Sequence, residues 1–318
     1  MTPVLRTGAV VVAIAAILLL PMAPFASDYI MTLGVTIALF AVLSTGLNLM
    51  YGYAGLLSFA QVGFFGIGAY TAALLTMDLG WTMWTGSLAG GVVAVAFSLI
   101  IGLAAMRLPR DAFAIVTLTF ALLCLLVARD WVELTRGSMG IPGLPAPSIT
   151  IPGVGRISIN QPARFYYVMV PFALIALAIV HRVVRSRIGR TLLATKLNEP
   201  VARSQGINPL THRLLAFGLS AAMSGIAGGI YAFFLTIVDP SIFDFYYIES
   251  MLIMTIIGGP GSFWGVLAAT AVFVVLPDFL RFSTDLRMVL YGAVLVVAML
   301  LFPQGFGGLR RKAKPGRV

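Results

Sequence analysis

Residues 44–71 read STGLNLMYGYAGLLSFAQVGFFGIGAYT, and the fold turns on why so apolar a stretch carries Gly46, Gly52, Gly55, Gly63, Gly66 and Gly68. Each glycine costs roughly 1 kcal/mol in a helix interior relative to alanine, so a water-soluble helix avoids them. Helices in a bilayer use small residues to approach one another closely. An interrupted helix also uses them, where freed backbone groups face protein or a solute path.

Outward from this stretch, the 318 residues are 60% hydrophobic and 10% charged, against about 25% charged for a soluble domain. A span takes about 20 apolar residues in a helix. Such runs recur near 8–25, 29–50, 59–77, 85–106, 112–128, 165–181, 213–237, 246–258, 262–279 and 288–303. The pattern predicts an all-α, polytopic membrane protein of about ten transmembrane or partly spanning helices, as one membrane domain over residues 1–318. A spanning barrel is excluded, because ten-residue alternating segments are missing. The first run follows Arg6 like a secretory signal, but Pro24 fits poorly as a cleavage-site residue, so an uncleaved first helix is expected.

The net charge of +10 does not point to nucleic acid, which draws Lys and Arg onto one folded face. Here the positives gather between the apolar runs. Alternating the spans puts Arg6, Arg107, Arg110, the block from Arg182 to Arg213 and the tail RRKAKPGRV on one side, with only Asp111 and Glu199 as acids. That side is expected to be cytoplasmic, with both termini on it. The longest opposite segment, 129–164, contains SITIPGVGRISIN, whose alternation around Pro-Gly-Val-Gly predicts a β-hairpin. The cytoplasmic segment 182–213 contains GRTLLATKLNEPVARSQGINP. It predicts a helix, a break and a short second helix, with Asn198 as cap, Pro200 in the first turn and Gly206 at the end.

Every Asp, Glu, Lys and Arg falls outside the expected spans or at their ends. Ion-driven carriers usually need ionisable groups inside the membrane, so a secondary carrier is disfavoured. GGPGSFWG at 258–265 lacks the Gly-Lys-Ser/Thr of a phosphate cradle, so any ATP would be hydrolysed by a partner. Cys124 lies in the apolar run LLCLLV, and His181 and His212 have no ligands at metal spacing. No Ser-His-Asp signature marks a hydrolase. The reading is a non-enzyme without a metal or cofactor of its own.

The glycines admit two uses. Packing is favoured for Gly63 to Gly68, while Gly52 and Gly55, beside Asn48, Ser58 and Gln61, suit packing or an interrupted, path-lining helix equally. IIGGPGSFWG is a second glycine-rich break in the other half of the chain, read either as a tight turn or as the counterpart of the first.

GLNLMYGYAGLLSFAQVGFFGIGAYTAALL at 46–75, FAIVTLTFALL at 113–123, LTRGSMGIPG at 134–143 and the run from GRTLLATKLNEPVARSQGIN to IIGGPGSFWG carry a family likeness. With them the chain resembles the permease subunits of bacterial branched-chain amino-acid ABC transporters, in particular the M-type member of the paired permeases. The resemblance implies an inner-membrane importer subunit that pairs with a second related permease, two cytoplasmic ATPases that bind the ATP, and an external solute-binding protein. It implies that Arg190, Lys196, Asn198, Glu199, Ala202, Arg203 and Gly206 belong to the loop that docks on the ATPase, although Pro200 stands where the family's acidic residue is expected. Asn48, Ser58, Gln61, Thr117 and Thr119 are candidates to line the path, and TRGSMGIPG is a candidate outer gate or binding-protein contact. Relatives carry urea, short amides or aromatic acids, which stand as alternative cargo. A secondary carrier and a non-transporting membrane scaffold are the readings from other classes.

Overall fold

The computed structural model describes residues 21, 27–151, 155–159 and 161–279. The expected spans at 8–25 and 288–303 fall outside these residues, apart from Pro21. Among the described residues seven helical stretches are long and apolar enough to cross a membrane, and Phe263–Leu276 forms a shorter apolar helix.

Helix α1, Asp28–Asn48, starts on the Ser27 hydroxyl, which accepts from the Ile30 N–H at 3.4 Å, and runs on as a π-helical turn, Leu49–Ala54. Helix α2, Ala60–Leu79, stops at Gly80 with φ +67, a conformation that glycine adopts without steric cost. Helices α3, Met83–Ala105, and α4, Arg110–Asp130, follow, with Thr82 capping the first. Helix α5, Pro162–Arg185, leads into the short helices α6, Arg187–Leu197, and α7, Glu199–Ser204. The longest helix, α8, Pro209–Leu235, opens on Asn208, whose side chain accepts from the Leu210 N–H. A 3-10 turn, Pro240–Phe243, precedes α9, Phe245–Gly258, and α10, Phe263–Phe279, completes the described chain.

The segment between α4 and α5 carries strand β1, Ile141–Pro142, and strands β2, Ser148–Ile151, and β3, Gly155–Ser158. The last two form the antiparallel hairpin that the alternation predicts, with Ser148 opposite Ser158. β1 pairs instead with β4, Ile237–Val238, beyond the end of α8. No local pattern announces that pairing. The expected span at 246–258 is α9, and with its preceding turn it reaches 19 residues over Pro240–Gly258, long enough to cross.

The centre is a three-helix crossing of α2, α3 and α8, in which Gly68, Gly90 and Gly225 meet backbone to backbone. A Cβ on Gly68 would run into the Gly225 carbonyl, one on Gly90 would lie 2.6 Å from the Gly68 carbonyl oxygen, and one on Gly225 would lie 2.8 Å from that of Gly90. Gly63 and Gly66 lie against the rings of Phe120 and Phe243. Packing is thus the use made of Gly63 to Gly68. Lipid offers no hydrophobic gain for helix association, so such close dispersion contact holds the bundle together. α1 packs on α5 and α10 beside this crossing. α4 is the least enclosed of the long helices, with 22% of its apolar window buried, leaving Ile115, Leu122, Leu123 and Leu126 exposed.

Candidate functional site

The two glycine-rich breaks meet. The π-helical turn after α1 ends at Gly55, whose φ of +74 reverses the chain and whose N–H bonds the Met50 carbonyl. Its neighbour in space is the turn between α9 and α10, where Gly259 and Gly261 also have positive φ. The Asn48 side-chain oxygen accepts from the Gly261 N–H at 2.8 Å. A Cβ on Gly52 would collide with both that oxygen and the Gly261 nitrogen. Asn48 is buried, so its amide occupies the junction itself. Gly52 permits this close approach, and its carbonyl takes a hydrogen bond from outside its own helix.

That carbonyl is the anchor for the basic segment 182–213. Lys196 Nζ donates to the Gly52 carbonyl oxygen at 2.7 Å, and the stem of Lys196 lies against Gly55, where a side chain would not fit. Arg110 closes the other side by donating to the Lys196 carbonyl at 2.9 Å. Burial, with the Arg110 charge second, holds the Lys196 ammonium below the usual lysine range.

Around Lys196 the segment folds as its residue types direct. Asn198 breaks the helix, and its side chain accepts from the Val201 N–H at 3.2 Å, so it caps α7. Pro200 sits in the first turn of α7, where its missing N–H has no helical partner to lose. Gly206 ends the elbow at φ +77. Glu199 accepts from Arg203 at 2.7 Å and from Arg213 at 2.8 Å, which ties α7 to α8. Burial pushes the Glu199 carboxyl up, but its hydrogen bonds to Arg203 and Arg213 outweigh this and hold it below the usual range. Ala202 faces inward, while Arg190, Arg203 and Gly206 are exposed. So are two apolar side chains, Leu197 at 84% and Val201 at 56%.

The candidate path residues divide. Gln61 and Ser220 exchange hydrogen bonds in the core: Gln61 Nε2 donates to Ser220 Oγ at 2.7 Å, and Ser220 Oγ lies 2.9 Å from Gln61 Oε1. Sequence reasoning missed Ser220, because its signal is only a hydroxyl in an apolar helix 159 residues away. Gly46 makes room for the Gln61 amide. Thr117 is buried; it accepts from the Phe59 N–H at 3.1 Å and so fastens the start of α2 to α4. Ser58 is buried next to it in sequence to Phe59, and its hydroxyl has no hydrogen-bond partner among the described residues. Thr119 is exposed and donates to the Ile115 carbonyl on the opposite flank of α4 from Thr117. The structure brings Ser58 and Thr117 together through Phe59 and leaves Thr119 outside that group.

At the other end of α4, Thr135 donates to the Ala128 carbonyl at 2.9 Å, and Arg136, at φ +63, pairs with Asp78 at 3.3 Å. TRGSMGIPG is therefore a structured cap on the helix ends, joined through β1 to β4.

Residues 26–299 match the family described as the permease component of the branched-chain amino acid transport system. The chain is 30% identical over 301 residues to the high-affinity branched-chain amino acid transport system permease protein LivM of Salmonella typhimurium, covering 88% of this chain and 71% of the relative. It is 30% identical over 285 residues to LivM of Escherichia coli K12, covering 84% and 67%. It is 28% identical over 292 residues to LivH of the same strain, covering 87% and 92%.

Proposed function

The chain belongs to the family of permease components of branched-chain amino acid transport systems, and on that premise we propose that it imports branched-chain amino acids as one membrane-spanning subunit of an ATP-driven complex. Its partners in this reading are a second, related permease, two cytoplasmic ATPases that hold the ATP, and an external solute-binding protein. The chain lies in the bacterial inner membrane with both termini cytoplasmic, and it hydrolyses nothing itself. The likeness to both LivM and LivH supports a pair of related permeases. It also favours branched-chain amino acids over urea, short amides or aromatic acids.

The observation that carries this reading is the hydrogen bond from Lys196 to the Gly52 carbonyl. A docking elbow matters only if it is mechanically joined to the path, and here the basic elbow grips the interrupted helix at its weakest backbone point. Leu197 and Val201 offer exposed apolar surface for an ATPase groove, and Arg190 and Arg203 surround it with charge. Lys196, Asn198, Glu199 and Ala202 hold the elbow's shape from within. Closure of the ATPases then draws α6 and α7. Lys196 passes the displacement to the π-helical turn, and Asn48 passes it on to the turn before α10. ATP shifts the balance between inward- and outward-open states only through its different affinity for them.

Vesicles containing the complete complex test the proposal. Leucine uptake that needs ATP and the binding protein, and that ignores proton and sodium gradients, is the expected outcome. Uptake by this chain alone on an ion gradient would overturn it in favour of a secondary carrier. Failure of the chain to copurify with an ATPase would favour a scaffold.

A further inference from the structure

A cleft of about 530 Å³ opens between the last turns of α4 and the turn that leads into α9, within the range of small-molecule sites, about 300–1,000 Å³. It lies at the opposite end of α4 from Arg110, which bonds the elbow, and a 21-residue helix is about 30 Å long. The cleft therefore sits on the membrane face away from the ATPase dock. Leu122, Leu125, Phe243 and Ile248 supply apolar walls, and Arg129, Asp239 and Asp244 bring charge of both signs.

The charges are not spent on one another. Among the described residues Arg129 makes no ion pair within 4.0 Å; the pairs present are those of Arg136, Arg203 and Arg213. Asp239 Oδ1 accepts from the Ser241 N–H at 2.7 Å and Asp244 Oδ1 from the Tyr246 N–H at 3.4 Å, which leaves the second oxygen of each carboxylate open. A guanidinium presents a planar fork that matches a carboxylate, and a carboxylate matches an ammonium.

Resting on the transport reading above, we propose that this cleft is a receiving subsite for a zwitterionic aliphatic amino acid. Arg129 takes the α-carboxylate, Asp239 or Asp244 takes the α-ammonium, and the aliphatic side chain lies on the Leu122 and Leu125 wall. Urea or a short amide has neither charge and no aliphatic chain, so the same cleft discriminates against it: a site built around charge rejects analogues that leave its groups unpaired.

The test uses the complete complex of permeases and ATPases in lipid nanodiscs, without the binding protein, and measures binding of radiolabelled leucine. Isoamylamine, which lacks the carboxylate, and 4-methylpentanoate, which lacks the ammonium, should compete poorly. Arg129→Gln should weaken leucine binding about tenfold or more, and Arg129→Lys should restore part of it. Leu125→Trp should abolish binding by filling the cleft. Wild-type binding retained in Arg129→Gln and Leu125→Trp would overturn the subsite, as would absence of leucine binding to the wild-type complex. Loss of the second permease from the Leu125→Trp complex would also overturn it, since the cleft would then be a subunit contact. ATP-driven leucine uptake by the wild-type complex with its binding protein separates the two inferences. If uptake persists, only the subsite falls, and if the wild type moves no leucine, the transport reading itself falls.

Discussion

Lys196 and Gly52 lie 144 residues apart in sequence and 2.7 Å apart in space, ammonium to carbonyl oxygen. This bond ties the basic elbow to the π-helical turn that follows α1. Burial, with the Arg110 charge second, holds the Lys196 ammonium below the usual lysine range.

Lys196→Met keeps the aliphatic stem against Gly55 and removes the donor. It should leave ATP hydrolysis by the complex in place while transport per ATP falls about tenfold, within the usual size of a coupling energy. Parallel ATPase and uptake measurements on the same vesicles check this. A proportional fall in both would mean that the lysine supports docking and not transmission.

Glu199→Gln removes the charge that Arg203 and Arg213 share and should cost about 1–2 kcal/mol of local stability. The folded-state pKa of Glu199 is depressed, so its contribution is present above the unfolded carboxylate value and is lost as pH falls through the folded one. Thermal unfolding of the complex over a series of acidic pH values should show this loss in the wild type and not in Glu199→Gln.

Ser220→Ala removes the hydroxyl that pairs with both ends of the buried Gln61 amide and should destabilise by about 1–3 kcal/mol. Gln61→Met combined with Ser220→Ala removes both polar groups and should recover much of that loss. Transport by the double variant then decides the role of Gln61. A stable, active complex makes the pair structural, and a stable, inactive one puts the amide in the path.

Gly68→Val drives a branched side chain into the Gly225 carbonyl and should cost about 1–3 kcal/mol or more through overpacking. The reading is loss of monodisperse complex in detergent. Gly80→Ala is the contrast, because its Cβ meets open space although its φ is +67. It should cost about 1–2 kcal/mol and leave assembly intact.

Much of this architecture was legible from residue order. The helices follow from apolar runs, and the hairpin follows from alternation around Pro-Gly-Val-Gly. The elbow's break follows from Asn198, Pro200 and Gly206. Each of these is set by neighbours within a few positions. What escaped is long-range: the β1–β4 pairing, the Gln61–Ser220 exchange and the inward aim of Lys196. A lysine in a basic stretch between apolar runs reads as a solvated charge, and only the tertiary fold supplies the carbonyl it meets. Thr117 and Thr119 look equivalent in FAIVTLTFALL, yet two residues turn a helix by about 200°, and one is buried while the other is exposed.

Three backbones in contact at Gly68, Gly90 and Gly225 cannot slide past one another without opening a void between them. The crossing of α2, α3 and α8 is therefore a fulcrum, and in the transport reading proposed above a pull at the elbow is expressed in whatever is hinged around it.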